Sequence, residues 1–235
     1  NQLLIGTQNE ELFLKNIENQ NEKLIFKGEN KHEIYLLRSF NNSPNIFTSS
    51  YGFRILDPNG KLVYQDEAAI KDIVPLDEKN FAFAASGTCG FLSFGNTKTD
   101  WKKIFPPQIT LGAQNTLINK VRGKSVVFDA ENLRLYFATN KGLFVVSKNK
   151  TQEILYRGKS LYISRLVQYG SRIFALTQNN KLLQVKGFQI IQPSIFQSLS
   201  QNKILNIRMI NERLYLNSDN GIFVYDFKTR KQYKK

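Results

Sequence analysis

The chain has 235 residues, 41% hydrophobic and 12% aromatic, with 33 Lys and Arg against 19 Asp and Glu for a net charge of +14. Its 18 Phe and 10 Tyr supply enough apolar surface to offset the entropy of ordering, which excludes disorder, and no apolar run approaches the roughly 20 residues of a membrane-spanning helix. One cysteine, Cys89, and one histidine, His32, exclude an internal disulfide and a Cys/His zinc centre, so no metal or cofactor is expected.

In chain order, Leu3-Leu-Ile5 opens a series of short apolar runs. Glu33-Ile-Tyr-Leu-Leu-Arg38, Phe81-Ala-Phe-Ala84, Ser125-Val-Val-Phe128 and Leu161-Tyr-Ile-Ser-Arg-Leu-Val167 continue it. They are rich in β-branched and aromatic residues and closed by Asn, Gly, Asp and Ser, which is the pattern of strands and turns. No window of 11 or more residues keeps a 3.6-residue apolar period, so the chain is predicted to be all-β. Its first residues show no Met, basic region or cleavage pattern, and it reads as a mature or excised piece. His32, in the polar run Glu29-Asn-Lys-His-Glu33, reads as a surface residue.

The runs repeat. Leu135-Tyr-Phe-Ala-Thr-Asn-Lys-Gly-Leu-Phe-Val-Val146 aligns without a gap on Leu214-Tyr-Leu-Asn-Ser-Asp-Asn-Gly-Ile-Phe-Val-Tyr225. The same frame recurs near 3–14, 45–57, 81–94 and 172–185, beside 133–147 and 213–226, which makes six copies. Their hydroxyl markers are Thr7, Ser49, Ser86, Thr139, Thr177 and Ser218. Each copy reads as a hairpin, the second and third strands (b and c) of a four-stranded unit. Gly52, Gly90, Gly142 and Gly221 share a turn slot predicted to need positive φ, and Asn180 takes it in the fifth copy. Glu10 or Glu11 occupies it in the first. Units of about 40 residues and four strands predict a β-propeller of about six four-stranded blades in one domain, 1–235. The first blade lacks its strand a, so the ring closes with an incomplete blade or belongs to a larger array. Surplus residues at 106–119 are expected to form a long inter-blade loop.

These residues resemble a known repeat. Ile5-Gly-Thr-Gln-Asn9, Phe137-Ala-Thr-Asn-Lys-Gly-Leu-Phe144 and Asn220-Gly-Ile-Phe-Val-Tyr-Asp226 are similar to the two-component regulator propeller repeat, with Leu4, Ile46, Tyr136, Phe174 and Tyr215 where its usual Trp stands. The resemblance implies the sensor region of a bacterial histidine kinase or hybrid two-component regulator. Such regions lie outside the cytoplasm in a membrane-anchored receptor, and related regulators are cytoplasmic. Some respond to polysaccharide fragments. The rest of the receptor, as a homodimer, and protein partners are the associations implied.

The residues themselves show no catalytic signature: no phosphate loop, no Gly-x-Ser-x-Gly elbow and no His-Glu-x-x-His. Acidic neighbours such as Asp66 and Glu67 point to opposite faces of a strand and do not pair for glycoside hydrolysis. Charge is more telling. Residues 1–120 hold 13 basic and 13 acidic side chains, which leaves 20 basic and 6 acidic ones in residues 121–235. In a propeller the b–c turns and the d–a connections share one face, which gathers Lys120, Arg122, Lys141, Arg157 and Lys159 with Tyr51, Asn179 and Asn220. A saccharide or an anionic ligand is expected there, because Arg grips carboxylate and sulfate groups with paired hydrogen bonds. The opposite face, with Arg134, Lys148, Arg172 and Arg213, is as basic, which suits a solvated surface or a protein-binding scaffold without a small ligand. No aromatic-basic motif recurs at strand spacing, so nucleic acid is not the expected partner. Cys89 is placed in the third b–c turn, and Trp101 between blades.

Overall fold

A computed structural model describes residues 2–29, 31–40, 43–77, 79–93, 114–148, 150–193 and 202–234. Twenty-one strands run through them in five antiparallel sheets that form the blades of an all-β propeller. The first sheet holds β1 (Gln2–Gly6), β2 (Glu11–Asn16) and β3 (Glu22–Lys27). The second holds β4 (Leu36–Phe40), β5 (Ser43–Ser49), β6 (Phe53–Leu56) and β7 (Leu62–Asp66). The third is six-stranded: β8 (Ile70–Pro75), β9 (Asn80–Ser93), β10 (Gln114–Asp129), β11 (Arg134–Thr139), β12 (Gly142–Ser147) and β13 (Lys150–Ile154). The fourth holds β14 (Ile163–Tyr169), β15 (Arg172–Thr177), β16 (Leu182–Lys186) and β17 (Gln189–Ile191). The fifth holds β18 (Ile204–Ile210), β19 (Arg213–Ser218), β20 (Gly221–Asp226) and β21 (Lys231–Lys234). Among the described residues no helix is long and apolar enough to cross a membrane.

Successive side chains of a strand point to opposite faces, so each sheet feeds two neighbouring cores. In β9, Phe81 and Phe83 enter the cluster shared with β4–β7, while Ala82 and Ala84 enter the cluster shared with β11 and β12. In β11, Leu135 and Phe137 join that second cluster, and Tyr136 and Ala138 join the next, shared with β14–β16. In β15, Ile173 and Ala175 face back while Phe174 and Leu176 face forward to β18 and β19. Five such apolar layers hold the blades together. Contacts also run along a second line, from β4 to β8 across two sheets, from β8 to β10 within the six-stranded sheet, and on from β10 to β14 and from β14 to β18. These are therefore the strands nearest the axis.

The hydroxyl markers close the turns. Thr139 Oγ1 donates to the Gly142 carbonyl at 2.9 Å and accepts from the Lys141 amide at 3.1 Å, and Ser218 does the same with Gly221 and Asn220 at 2.9 and 3.1 Å. Gly142 and Gly221 take φ of +147° and +117°, and Asn180 and Glu10 fill the slot at +60° and +59°. Gly52 departs from the expected positive φ. Its requirement is space, since a Cβ there would stand 2.7 Å from the Asp66 carbonyl oxygen.

The third copy is the main departure. No hairpin forms over 81–94: residues 80–93 are one continuous strand, with Gly90 inside it. The first half of β9 pairs with β8, and the second half, from Ser86 to Leu92, pairs with β10 from Arg122 back to Gln114. At Gly123 β10 changes partner and continues along β11. The third and fourth copies thereby merge into one six-stranded sheet, and five blades stand where about six are expected. Gly123 makes the crossing feasible, because a Cβ there would lie 2.8–2.9 Å from the Ala85 amide, the Cys89 sulfur and the Ala84 Cα. Residues 114–119 of the expected 106–119 loop are consequently strand, and 106–113 and Trp101 lie outside the described residues.

Cys89 is likewise in a strand and not in a turn. It is fully buried between β9 and β10, and burial pushes its thiol up to about 12. A thiol reagent at pH 8 should leave the native protein unmodified and titrate one thiol after denaturation. Rapid native labelling would show that the β9–β10 pair opens.

Candidate functional site

On the face that carries the b–c turns, a cavity of about 550 Å³ lies between the fourth and fifth sheets. Three segments wall it: the d–a connection from β13 to β14, the β15–β16 turn, and the approach to β18. In the first, Tyr156 and Lys159 exchange backbone hydrogen bonds of 2.9 and 3.1 Å around Arg157 and Gly158. Both central residues have positive φ, +53° and +75°, as a tight hairpin turn of this hand requires. That conformation suits Gly158 but is unusual for a residue as large as Arg157. It lays the Arg157 guanidinium over the Tyr156 ring, 5.3 Å from its centroid.

The second wall is fixed to the first, since the Gln178 amide donates to the Tyr162 carbonyl at 3.0 Å. Thr177 Oγ1 accepts from the Lys181 amide at 3.0 Å, which leaves Asn179, Asn180 and Lys181 on the rim. The third wall is joined through the Ile204 amide, which donates to the Asn180 carbonyl at 3.2 Å. Asn202 lines the cavity, and the Asn220 side-chain amide donates to its Oδ1 at 3.5 Å. Among the described residues two cations, Arg157 and Lys181, line the cavity, and no acidic side chain does. Tyr162, half exposed, adds an aromatic face with a polar tip. A volume of this size, with aromatic surface and a few fixed amides and cations, suits a ligand the size of a short oligosaccharide.

Of the eight expected site residues, Arg157 and Asn179 line this cavity and Asn220 reaches its rim through Asn202. Lys159 closes the Tyr156 turn without lining the cavity. Lys141 is exposed at the β11–β12 turn, and Lys120 and Arg122 lie in β10 instead of in a connection. Arg122 donates its amide to the Asn140 side chain at 2.6 Å. Tyr51 is 72% exposed, stacks on His32 at 5.0 Å, and borders a separate shallow hollow beside Arg54, Gln65, Asp66 and Glu67. Tyr156, Tyr162, Lys181 and Asn202 were not expected here. The signal for the first two was present in the sequence, as tyrosines flanking the basic turn at 157–159. Among the described residues no group of three or more His, Cys, Asp and Glu side chains comes together.

No family model and no curated protein matches the chain. Solved structures do resemble it. The computationally designed Ika8 protein is 11% identical, with a TM-score of 0.63 over 99% of this chain and 70% of its own. The extracellular domain of BT4673 from B. thetaiotaomicron is 14% identical with TM-scores of 0.65 and 0.64 in two structures, one describing a one-component system and the other a hybrid two-component system. The match covers 99% of this chain and spans 32% of the BT4673 domain. At these identities the likeness is one of fold.

Proposed function

We propose that this chain is a non-catalytic, ligand-sensing part of a propeller in an extracytoplasmic sensor of a bacterial two-component or one-component system, and that its cleft takes a saccharide bearing anionic groups. The observation that carries this reading is the cleft itself: among the described residues two tyrosines, three asparagines and two cations converge on one cavity without a carboxylate. Likeness to the extracellular domain of BT4673 supports the sensory context. Tyr162 would stack on a sugar face, Asn179 and Asn202 would bond its hydroxyls, and Arg157 would pair with a carboxylate or sulfate.

Thermal unfolding against a panel of neutral, carboxylated and sulfated oligosaccharides tests it. A bound sugar at 100 times its Kd stabilises by about 2.7 kcal/mol and raises Tm by mass action. Acidic members should raise Tm, and Arg157→Glu or Tyr162→Ala should weaken the response at least about tenfold, roughly 1.4 kcal/mol. A panel without effect on wild-type Tm would favour a scaffold that binds proteins alone. Equal responses from wild type and both variants would remove the ligand from this cleft.

A further inference from the structure

Basic side chains also gather at the axis, away from the cleft. The strands nearest the axis each contribute: Arg38 from β4, Lys71 from β8, Arg122 and Lys124 from β10, Arg165 from β14 and Arg208 from β18. One acid, Asp72 of β8, stands among them, and its carboxylate is already committed. Oδ2 accepts from Ser125 Oγ at 2.6 Å and from the Val126 amide at 3.1 Å, while Oδ1 accepts from the Ile73 amide at 3.2 Å and lies 3.6 Å from Arg38 Nη2. Ser125 Oγ in turn accepts from the Leu166 amide at 3.1 Å. A polar belt thus crosses β4, β8, β10 and β14, and it commits the one carboxylate found there among the described residues.

The remaining cations form no salt bridge among the described residues. Arg165 Nε is buried without a hydrogen-bond partner. Burial lowers the Arg165 pKa; Asp72 opposes this and the charges of Arg38 and Arg208 add to it. Lys71 is lowered in the same way, by burial and then by Lys124 and Arg122. A fold that holds Arg38, Arg165 and Arg208 around one satisfied carboxylate, with Lys71, Arg122 and Lys124 close to one another on the adjoining strands, carries self-repulsion that an outside anion would relieve.

We propose that the axis, between β8, β10, β14 and β18, is a binding site for a small oxyanion carrying two or more negative charges, with Arg165 and Arg208 as its direct ligands and Arg38 shared with Asp72. Arginine suits the task because its planar fork offers parallel donors to phosphate, sulfate or carboxylate oxygens. The site shares no residue with the cleft and stands whether or not the cleft binds a sugar.

The probes are sodium pyrophosphate, sulfate and citrate, each titrated against sodium chloride at matched ionic strength, with Tm and calorimetry as readouts. The wild type should gain Tm saturably with at least one oxyanion and only weakly with chloride, and the order among the three ranks phosphate, sulfate and carboxylate. Arg165→Gln and Arg208→Gln should each weaken that response by about tenfold or more, while Lys228→Gln, at a distant turn, should keep it. In anion-free buffer Arg165→Gln should be at least as stable as the wild type, since it removes a desolvated and repelled charge. The proposal is overturned if the oxyanions act no better than chloride, if both arginine variants respond as the wild type, or if Arg165→Gln loses several degrees without anion.

Discussion

Glu10→Ala should lower the unfolding free energy by about 3–5 kcal/mol, the penalty for stripping one partner from a buried ion pair. Glu10 is fully buried in the β1–β2 turn and Arg54 of β6 keeps 9% of its side chain exposed. The carboxylate accepts from the Arg54 guanidinium and, at 2.8 Å, from Ser50 Oγ, which ties the first sheet to the second. Gly28 lies directly against the carboxylate, where any side chain would collide with it. Without Glu10 the guanidinium loses its ion pair and keeps the Phe26 ring, 5.6 Å away, against its desolvation. Urea denaturation should show a lower midpoint with an unchanged slope. The double variant Glu10→Ala/Arg54→Leu should recover much of the loss, because it removes the stranded charge as well. A single-variant loss below about 1 kcal/mol would mean that solvent reaches the pair.

The sequence announced the propeller because its repeat is local. Alternation in Phe81-Ala-Phe-Ala84 and Leu135-Tyr-Phe-Ala138 prescribes strands with two buried faces, and the Thr139 and Ser218 markers lie within three residues of the carbonyls they bind. Glu10 was visible as an oddity in the turn slot, but its purpose was not, since Arg54 is 44 residues away in sequence. The third copy misled for a related reason. Ser86 and Gly90 mimic the turn chemistry of the other copies, yet the strand that pairs with this stretch comes from 114–122, a long-range partner that no local pattern encodes. The cleft is half legible: Arg157 and Asn179 sit in connections on the expected face, whereas Lys120 and Arg122, expected in a connection, lie in a strand. The axial cations are the least legible group. Each of their strands contributes only one or two, and nothing but the stacking of blades brings them together.

Phe137→Ala should be as costly as Glu10→Ala, about 3–5 kcal/mol, but for a different reason. Phe137 is fully buried in the layer where the six-stranded sheet faces itself, against Ala82, Ala84, Cys89, Phe91 and Val126. The small side chains of β9 are there to admit this ring, and the Ala84–Ala85 backbone is already pressed on Gly123, so the walls have little room to close over the void. In a stack of blades each layer couples only nearest neighbours, and damage in one layer should stay local before it becomes global. Native-state hydrogen exchange should therefore lose protection first in β9–β11, while β18–β20, held by their own layer of Phe174, Leu214, Leu216 and Tyr225, should retain it longer. Uniform loss across all five sheets would instead show that the propeller unfolds as one cooperative body, with the merged sheet transmitting the defect from blade to blade.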